Sequence, residues 1–237
     1  RNIITLEDPV EYEIQGIVQS EIHSEQGYTF ASGLRSVLRH DPNVILVGEI
    51  RDGETASIAV NAALTGHLLF STLHANDAAT SIPRLLEMGV EPFLLASTLE
   101  VVIAQRLVRR ICPRCRYTYN VTPEEAGKLF KNADKFFGTK GQILLYKGKG
   151  CEACGGIGFQ GRIAIHELLV ITPEIEKLIV ARKSSAEIEA EARKENMESI
   201  FEDGFKKVLG GTTTIEELLR VATPPERPSS NDATDEE

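Results

Sequence analysis

Short aliphatic runs alternate with longer stretches of helical periodicity over the first 111 residues. The runs predict three strands, at Ile3 to Leu6, Val44 to Val47 and Leu68 to Leu73, with apolar residues on both alternating faces. Between them, Phe30 to Arg39 and Glu54 to Leu64 have the spacing of helices. This alternation predicts an α/β layer around a parallel sheet whose strands are covered by helices on both sides.

A longer helix is predicted from Pro92 to Arg110. Apolar residues recur in this stretch at helical spacing, and arginines gather near the end where the helix dipole favours cations. The apolar set is Leu95, Leu99, Val102, Ile103 and Leu107, and the arginines are Arg106, Arg109 and Arg110.

The pattern changes at Cys112. Residues 112–161 contain cysteine pairs, glycines and short segments, with too few apolar residues for a conventional core. Such a composition is typical of a metal-binding module, and the four cysteines suggest zinc. Residues 1–111 and 112–161 are therefore expected to be separate parts of the protein.

Two further parts are expected after the metal module. Residues 162–222 combine a predicted strand, Ile163 to Leu169, with amphipathic helices after Pro173 that break at Lys183-Ser184-Ser185 and at Gly210-Gly211. They predict a C-terminal helical subdomain. Residues 223–237 are almost free of apolar side chains and carry acidic charge, which predicts a disordered tail.

Composition narrows the classes of function. With 237 residues, 42% of them hydrophobic, the chain can bury a core. It has no uninterrupted apolar run of about 18 residues and no signal peptide at its start, so any membrane role is expected to be peripheral. The net charge of −9 argues against a general nucleic-acid binder. Because the sequence begins at Arg1 and runs directly into a strand, a fragment is expected.

Acidic clusters follow the first two predicted strands. Glu7 to Glu11 ends the first, and Gly48 to Asp52 ends the second. In a parallel sheet both reach the carboxyl edge, where paired carboxylates suit a magnesium ion and an activated water. The second cluster has the form of a Walker B strand, which assigns Glu49 to the metal and leaves Glu7 to orient the water. The alternative is that these acids only begin loops or cap helices.

Three segments, Ile4 to Tyr12, Leu38 to Asp52 and Thr65 to Asn76, follow one another along this region. They resemble the Asp box, the Walker B signature and the His box of type II secretion and type IV pilus assembly ATPases. The resemblance runs from Ile3 to about Thr223, and Asn43 is a minor departure from the usual Asp. It implies a partial RecA-like P-loop NTPase core in a homo-hexameric motor that hydrolyses ATP with Mg²⁺ and drives pseudopilin or pilin assembly.

The resemblance also implies roles for single side chains. Glu7 would polarise the attacking water, and Glu49 would hold magnesium through its water shell. His67 and His74 would sense the state of the nucleotide.

Three arginines match family arginines implicated in nucleotide-linked subunit contacts. They are Arg35 and Arg39, one helical turn apart, and Arg51, just after the Walker B strand. A guanidinium group suits phosphate and carboxylate recognition because of its bidentate fork. The alternative for these residues is a solvated helix face or a local salt bridge.

Every cysteine of the chain lies in one of two knuckles, Cys112-Pro113-Arg114-Cys115 and Cys151-Glu152-Ala153-Cys154. Four thiolates satisfy tetrahedral zinc and leave no open position, so the pattern predicts a structural Zn²⁺ site. Disulfides and iron–sulfur ligation are the alternatives. Secretion and pilus-extension ATPases carry such a module, whereas retraction and conjugation relatives generally lack it.

The resemblance further implies cytoplasmic localisation, peripheral association with the inner membrane, and partners in the inner-membrane platform and cytoplasmic adaptor proteins. The sequence lacks Gly-x-x-x-x-Gly-Lys-Ser/Thr, since Gly127-Lys128 and Gly148-Lys149 precede Leu and Gly. The phosphate-binding loop is therefore expected in sequence before Arg1, and the fragment alone is expected to be inactive. A retraction or conjugation ATPase and an inactive zinc-containing scaffold are the alternative functions.

Overall fold

The computed structural model describes residues 1–138 and 141–225. The described residues divide into two compact units, the first made of Arg1–Val102 and Val170–Glu191, and the second of Ile103–Leu169 and residues 192–225. The predicted acidic tail, 223–237, lies outside the described residues beyond position 225. Within the described ranges, no helix has the length and apolar character needed to cross a membrane.

The described elements have these bounds. The strands are β1 (Ile3–Glu7), β2 (Val18–Glu21), β3 (Val44–Val47), β4 (Leu68–Ser71), β5 (Val101–Ile111), β6 (Arg116–Val121), β7 (Ile143–Gly148) and β8 (Phe159–Val170). The helices are α1 (Phe30–Val37), α2 (Gly53–Leu64), α3 (Ala78–Glu87), α4 (Pro92–Thr98), α5 (Pro123–Gly127), α6 (Ala133–Phe137), α7 (Pro173–Val180), α8 (Ser185–Lys194), α9 (Ile200–Leu209) and α10 (Ile215–Val221).

The first unit is built on a four-stranded parallel sheet in the order β2-β1-β3-β4. Its register places Leu6 opposite Val47, and Val47 opposite Ser71, so the carboxyl ends of three strands lie side by side. The predicted parallel sheet is confirmed. All three predicted strands are present, although β4 ends at Ser71 rather than at Leu73.

Burial on both faces, which the sequence predicts for all three strands, differs from strand to strand. The aliphatic side chains of β1 and β3 fill the core, with Leu6 and Ile45 fully buried. In β4, an edge strand of the described sheet, Leu68 and Phe70 are 50% and 53% exposed. An aliphatic run therefore predicts a strand without settling whether both of its faces are covered.

Short polar caps determine where the helices of this unit begin. Asp52 caps α2, because its carboxylate accepts the backbone N–H of Thr55 at 2.8 Å. Asp77 caps α3 in the same way through Thr80 at 2.7 Å. Capping supplies acceptors for N–H groups that the first turn of a helix leaves unpaired. Of the acids after β3, Asp52 thus has the structural role of a cap, which leaves Glu49 to be explained otherwise.

The predicted helix from Pro92 to Arg110 is wrong in its second half. Helix α4 ends at Thr98, and the eleven-residue strand β5 follows at Val101–Ile111 and pairs with β8. The run Val101-Val102-Ile103 is β-branched, and such side chains lose rotamer freedom in a helix and pack well in a strand. Exposed and less exposed residues alternate along β5, so the period is two and not 3.6.

The second unit has one hydrophobic core to which distant segments contribute. Its buried members are Val108, Ala126, Ile143, Leu145, Ile165, Phe201, Phe205, Val208, Ile215, Leu218 and Ala222. Phe130, Phe136 and Phe137 pack edge-on against Phe201 and Phe205 with ring centroids 4.9 to 6.4 Å apart. The segment between the knuckles, expected to be too poor in apolar residues for a core, therefore shares one with α9 and α10.

A buried acid ties β5 to α10 in this unit. The Glu217 side chain is only 4% exposed and accepts the Arg109 guanidinium at 2.5 Å, the Arg109 backbone N–H at 3.1 Å and the Arg220 guanidinium at 3.2 Å. The hydrogen bond from Arg109 holds the pKa of Glu217 at about 2, below its usual 4.5. A lowered pKa means that this stabilisation is complete above pH 4.5 and is lost as the pH falls towards 2.

We expect Glu217→Gln to lower the free energy of unfolding at pH 7 by about 2–3 kcal/mol, because Arg109 loses its charged partner. The difference from wild type should shrink as the pH is lowered from 4.5 towards 2, which calorimetry across that range can measure. Glu216→Gln is the matched control. Its side chain is 56% exposed and pairs with Lys147, so its loss should cost less than about 1 kcal/mol. Equal costs for the two variants would contradict this assignment.

Candidate functional site

The carboxyl edge of the parallel sheet is held together by backbone contacts around Gly48. The Gly48 N–H donates to the carbonyl of Leu6 at 2.7 Å, and the Thr72 hydroxyl donates to the carbonyl of Gly48 at 2.7 Å. A Cβ atom at Gly48 would lie 3.0 Å from the Leu6 carbonyl oxygen and 3.3 Å from the Phe30 ring. Glycine therefore allows the close approach that carries Glu49 to this edge.

Glu49 is engaged at both of its carboxylate oxygens. Oε1 lies 2.5 Å from the Arg51 guanidinium, and Oε2 lies 3.0 Å from Nε2 of His74. A carboxylate only accepts hydrogen bonds, so Nε2 of His74 carries the hydrogen. The Glu49 side chain is 13% exposed, whereas Arg51 and His74 are largely exposed. The Arg51 hydrogen bond, opposed by burial, lowers the pKa of Glu49, so this carboxylate is ionised at neutral pH.

Glu7 closes β1 on the same sheet edge and is held differently. One oxygen, Oε1, accepts the Thr5 hydroxyl at 2.5 Å and the Gln19 side-chain amide at 2.9 Å. Both donors are neutral, in contrast to the Arg51 guanidinium on Glu49. The structure thus brings together two of the predicted residues, Glu7 and Glu49, on the carboxyl edge of adjacent strands, each with its own set of donors.

The two predicted histidines lie at opposite ends of β4. His74 follows the strand and reaches Glu49, as described above. His67 directly precedes the strand, and its Nδ1 lies 3.0 Å from the Ala62 carbonyl at the end of α2. A four-residue strand is about 13 Å long. The structure therefore brings only His74 to the carboxylate.

The predicted arginines also separate. Arg51 contacts Glu49, but Arg35 pairs with Glu54 on α2 at 2.5 Å, and Arg39 donates to the Arg35 carbonyl at 3.0 Å. The contacts of Arg35 and Arg39 are local and solvent-exposed, in agreement with the salt-bridge alternative. Their proposed role in contacts between subunits stays a prediction.

Sequence reasoning missed two side chains of this site, Thr5 and Gln19. A signal for Thr5 was present, since it is a polar residue inside an aliphatic strand and is 5% exposed. Gln19 gave none, because β2 is four mostly polar residues that do not stand out as a strand.

The four cysteines form a second site, in the second unit. Their Sγ atoms all lie within 4.8 Å of one another, and the thiols are not bridged by disulfides. Three of the S···S distances are 3.9, 3.9 and 3.7 Å. A zinc ion with Zn–S bonds of about 2.3 Å at the centre of a tetrahedron requires S···S distances of about 3.8 Å. The donor set and its spacing therefore fit a structural zinc ion.

Backbone groups around the knuckles support this arrangement. The N–H groups of Cys151 and Gly158 point at Sγ of Cys154 from 3.2 and 3.3 Å. The Cys151 N–H lowers the pKa of Cys154 to about 6, whereas burial raises the pKa of Cys115 to about 11, so these surroundings favour the thiolate at Cys154 and not at Cys115. A Cβ at Gly148 would lie 2.1 Å from the Gly158 carbonyl oxygen, so glycine allows the two segments that flank the second knuckle to approach closely.

The parallel sheet, with acids along its carboxyl edge, is that of a RecA-like α/β protein. Residues 1–220 match the family model described as "Type II/IV secretion system protein", and the chain belongs to that family. The family resemblance drawn from the three boxes is thereby confirmed.

Three relatives are similar to this chain over more than nine-tenths of its length. It is 53% identical over 219 residues to "Type IV pilus assembly ATPase PilB" of Thermus thermophilus, covering 92% of this chain and 24% of that protein. It is 47% identical over 223 residues to "Putative type II secretion system protein E" of Escherichia coli, with 94% and 44% covered. "Type II secretion system ATPase E" of Vibrio cholerae is 46% identical over 221 residues, with 93% and 42% covered. The chain thus spans less than half the length of each.

Solved structures agree with the fold. The pilus retraction motor PilT with bound ADP superimposes with a TM-score of 0.65 at 26% identity, over 95% of this chain and 53% of that one. The Legionella pneumophila ATPase DotB superimposes with a TM-score of 0.61 at 24% identity, over 93% and 51% of the two chains, which bears on the fold alone.

Proposed function

We propose that the intact protein is a homo-hexameric ATPase that drives pseudopilin or pilin assembly in type II secretion or type IV pilus biogenesis. The observation that carries this proposal is the Glu49 carboxylate at the carboxyl edge of the sheet, ionised and held by Arg51 and His74 beside the strand of Glu7. Ligands of parallel α/β sheets bind at this edge. The ATPase names of the Thermus and Vibrio relatives support ATP as the substrate.

The residues divide the work as follows. Glu49 would hold Mg²⁺ through its water shell, and Mg²⁺, when bound, supplies charge neutralisation at the phosphates. Glu7 orients the attacking water through its carboxylate. His74, hydrogen-bonded to Glu49, responds to the nucleotide at that carboxylate, and Arg51 can exchange its carboxylate partner for a phosphate oxygen because guanidinium binds both. Outside this cluster, His67 would sense the state of the nucleotide. Arg35 and Arg39 would take part in nucleotide-linked contacts between subunits.

The tetracysteine site supports an assembly ATPase over a retraction or conjugation ATPase. Its zinc ion would have a structural role because four thiolates leave no open position for substrate. We place the protein in the cytoplasm, peripherally associated with the inner membrane, where it contacts the inner-membrane platform and cytoplasmic adaptor proteins and no nucleic acid. The names of two relatives, a type IV pilus assembly ATPase and a putative type II secretion system protein, support a role in such a machine.

Phosphate release by the intact protein tests the enzymatic part of the proposal. We expect turnover that requires both ATP and Mg²⁺, and light scattering should give the mass of six subunits when nucleotide is present. An intact protein that folds, binds zinc and releases no phosphate would support the inactive scaffold instead.

The 237 residues by themselves should hydrolyse essentially no ATP. They contain no Gly-x-x-x-x-Gly-Lys-Ser/Thr motif, whose lysine and backbone amides hold the β and γ phosphates. Phosphate release by this chain should equal the blank without enzyme, whereas the intact protein assayed at the same subunit concentration should turn over. Comparable rates from the two would show that the phosphate-binding groups lie within this chain.

A further inference from the structure

We propose that Thr5 and Gln19 are positioning residues that set the orientation of the Glu7 carboxylate. The inference rests on the proposed function, in which Glu7 orients the attacking water. Thr5 and Gln19 are direct cross-strand neighbours on β1 and β2, and Glu7 lies two residues beyond Thr5. Because side chains two apart on a strand share a face, all three project from the same side of the sheet.

Both donors meet the same atom. The Thr5 hydroxyl and the Gln19 amide donate to Oε1 of Glu7 at 2.5 and 2.9 Å. Two donors on one oxygen restrict rotation of the carboxylate, and neither of these bonds uses Oε2. The arrangement therefore leaves Oε2 to accept a hydrogen bond from water, and in the proposed reaction this hydrogen bond aligns the attacking water.

The orientation of the Gln19 amide follows from its surroundings. The Ile14 backbone N–H donates to Oε1 of Gln19 at 2.7 Å, which requires the carbonyl side of the amide to face Ile14. The NH₂ group must then face the other way, where it donates to the Tyr12 carbonyl at 3.0 Å and to Glu7. The amide is thus held by the loop between β1 and β2, and its donor to Glu7 does not depend on a free choice between nitrogen and oxygen.

The position of the Thr5 hydroxyl, like that of the Gln19 amide, is fixed by its surroundings. Thr5 is 5% exposed in a strand that pairs on both sides, with β2 and β3. A buried hydroxyl without a partner is costly, so its bond to Glu7 persists. Catalytic geometry is sensitive to displacements of about 1 Å, which can cost about 100-fold in rate. Loss of one of the two donors should therefore reduce turnover without removing Glu7 itself.

Substitutions in the intact protein separate positioning from packing. Thr5→Val removes the hydroxyl at nearly constant volume, and Thr5→Ser retains it; Gln19→Met removes the amide at nearly constant length. We expect Thr5→Val and Gln19→Met each to lower kcat roughly 10-fold, with KM for ATP changed less than about two-fold. This is less than the roughly 100-fold to 10,000-fold loss expected for removal of a general acid or base, because Glu7 itself remains. Thr5→Ser should restore most of the rate. Gln15→Met, at an exposed position of the same loop, is the matched control and should match wild type.

Glu7→Gln distinguishes failure of this inference from failure of the proposed function. If Glu7→Gln leaves turnover intact, Glu7 is not the water-orienting group and the proposed role fails with it. If Glu7→Gln abolishes turnover while Thr5→Val and Gln19→Met keep the wild-type kcat, only the positioning role is overturned. Equal losses in Thr5→Val and Thr5→Ser, or a fall in kcat matched by a lower Tm and a higher KM, would also overturn it, because those results indicate packing.

Discussion

Glu49→Gln in the intact protein should reduce ATP turnover about 100-fold to 10,000-fold. The amide preserves the size of the side chain, but it removes the negative charge that Arg51 and His74 hold in place. A neutral amide attracts Mg²⁺ much more weakly than a carboxylate does, so the charge on the phosphates would be less well neutralised during the reaction. Phosphate release at saturating ATP measures this effect.

Glu87→Gln provides the control for that experiment, since Glu87 is an exposed acid at the end of α3. It should leave kcat, KM and zinc content at wild-type values. A Glu49→Gln protein that keeps its oligomeric state and turns over like Glu87→Gln would sink the assignment of Glu49 and, with it, the site described here.

Removal of the metal should have the largest effect on stability. We expect close to one zinc ion per chain by elemental analysis, and Cys112→Ser should abolish stoichiometric binding because Cys112 is fully buried at the site. Structural zinc contributes about 10–16 kcal/mol of apparent binding free energy in small domains. The second unit also has a hydrophobic core of its own, so the loss of zinc should remove only part of this free energy from the stability of the protein. We expect Tm to fall by roughly 10 °C or more.

Ala153→Ser tests whether the effect belongs to the thiolates. Position 153 is exposed and lies between the cysteines of the second knuckle, so this variant alters the loop and keeps all four sulfurs. It should bind zinc and melt like wild type. Protein purified without metal that contains disulfides by mass spectrometry, and melts normally, would favour the disulfide alternative.

The central part of the first unit could be predicted from local patterns. Strands β1 and β3 and helices α1 and α2 have long or strongly apolar signals, and their ends differ from the predicted ones by only one or two residues. Strand β2 was not predicted, because a short polar strand is stabilised by its pairing with β1 and not by its own composition. Strand β5 was mistaken for a helix, because its valines, isoleucines and single leucine fit both periods and only its partner β8 decides between them.

The candidate site was predictable to a similar degree. Glu49 follows a four-residue apolar strand, and each cysteine pair has knuckle spacing, so both signals are local in sequence. The sequence places His67 before the third strand and His74 after it, but it did not show that His74 contacts Glu49, 25 positions away. Only the pairing of β3 with β4 in the folded sheet brings His74 within hydrogen-bond distance of the Glu49 carboxylate.

The sequence alone determined the family, the two acids at strand ends and the four candidate metal ligands, because each signal depends on short segments of the chain. The tertiary structure alone decided that Glu49 meets His74 across 25 positions, that Arg35 turns to Glu54, and that Thr5 and Gln19 share one oxygen of Glu7. Parallel strands can pair only after the chain has crossed over through intervening residues. The register that brings these side chains together is therefore a property of the packed sheet.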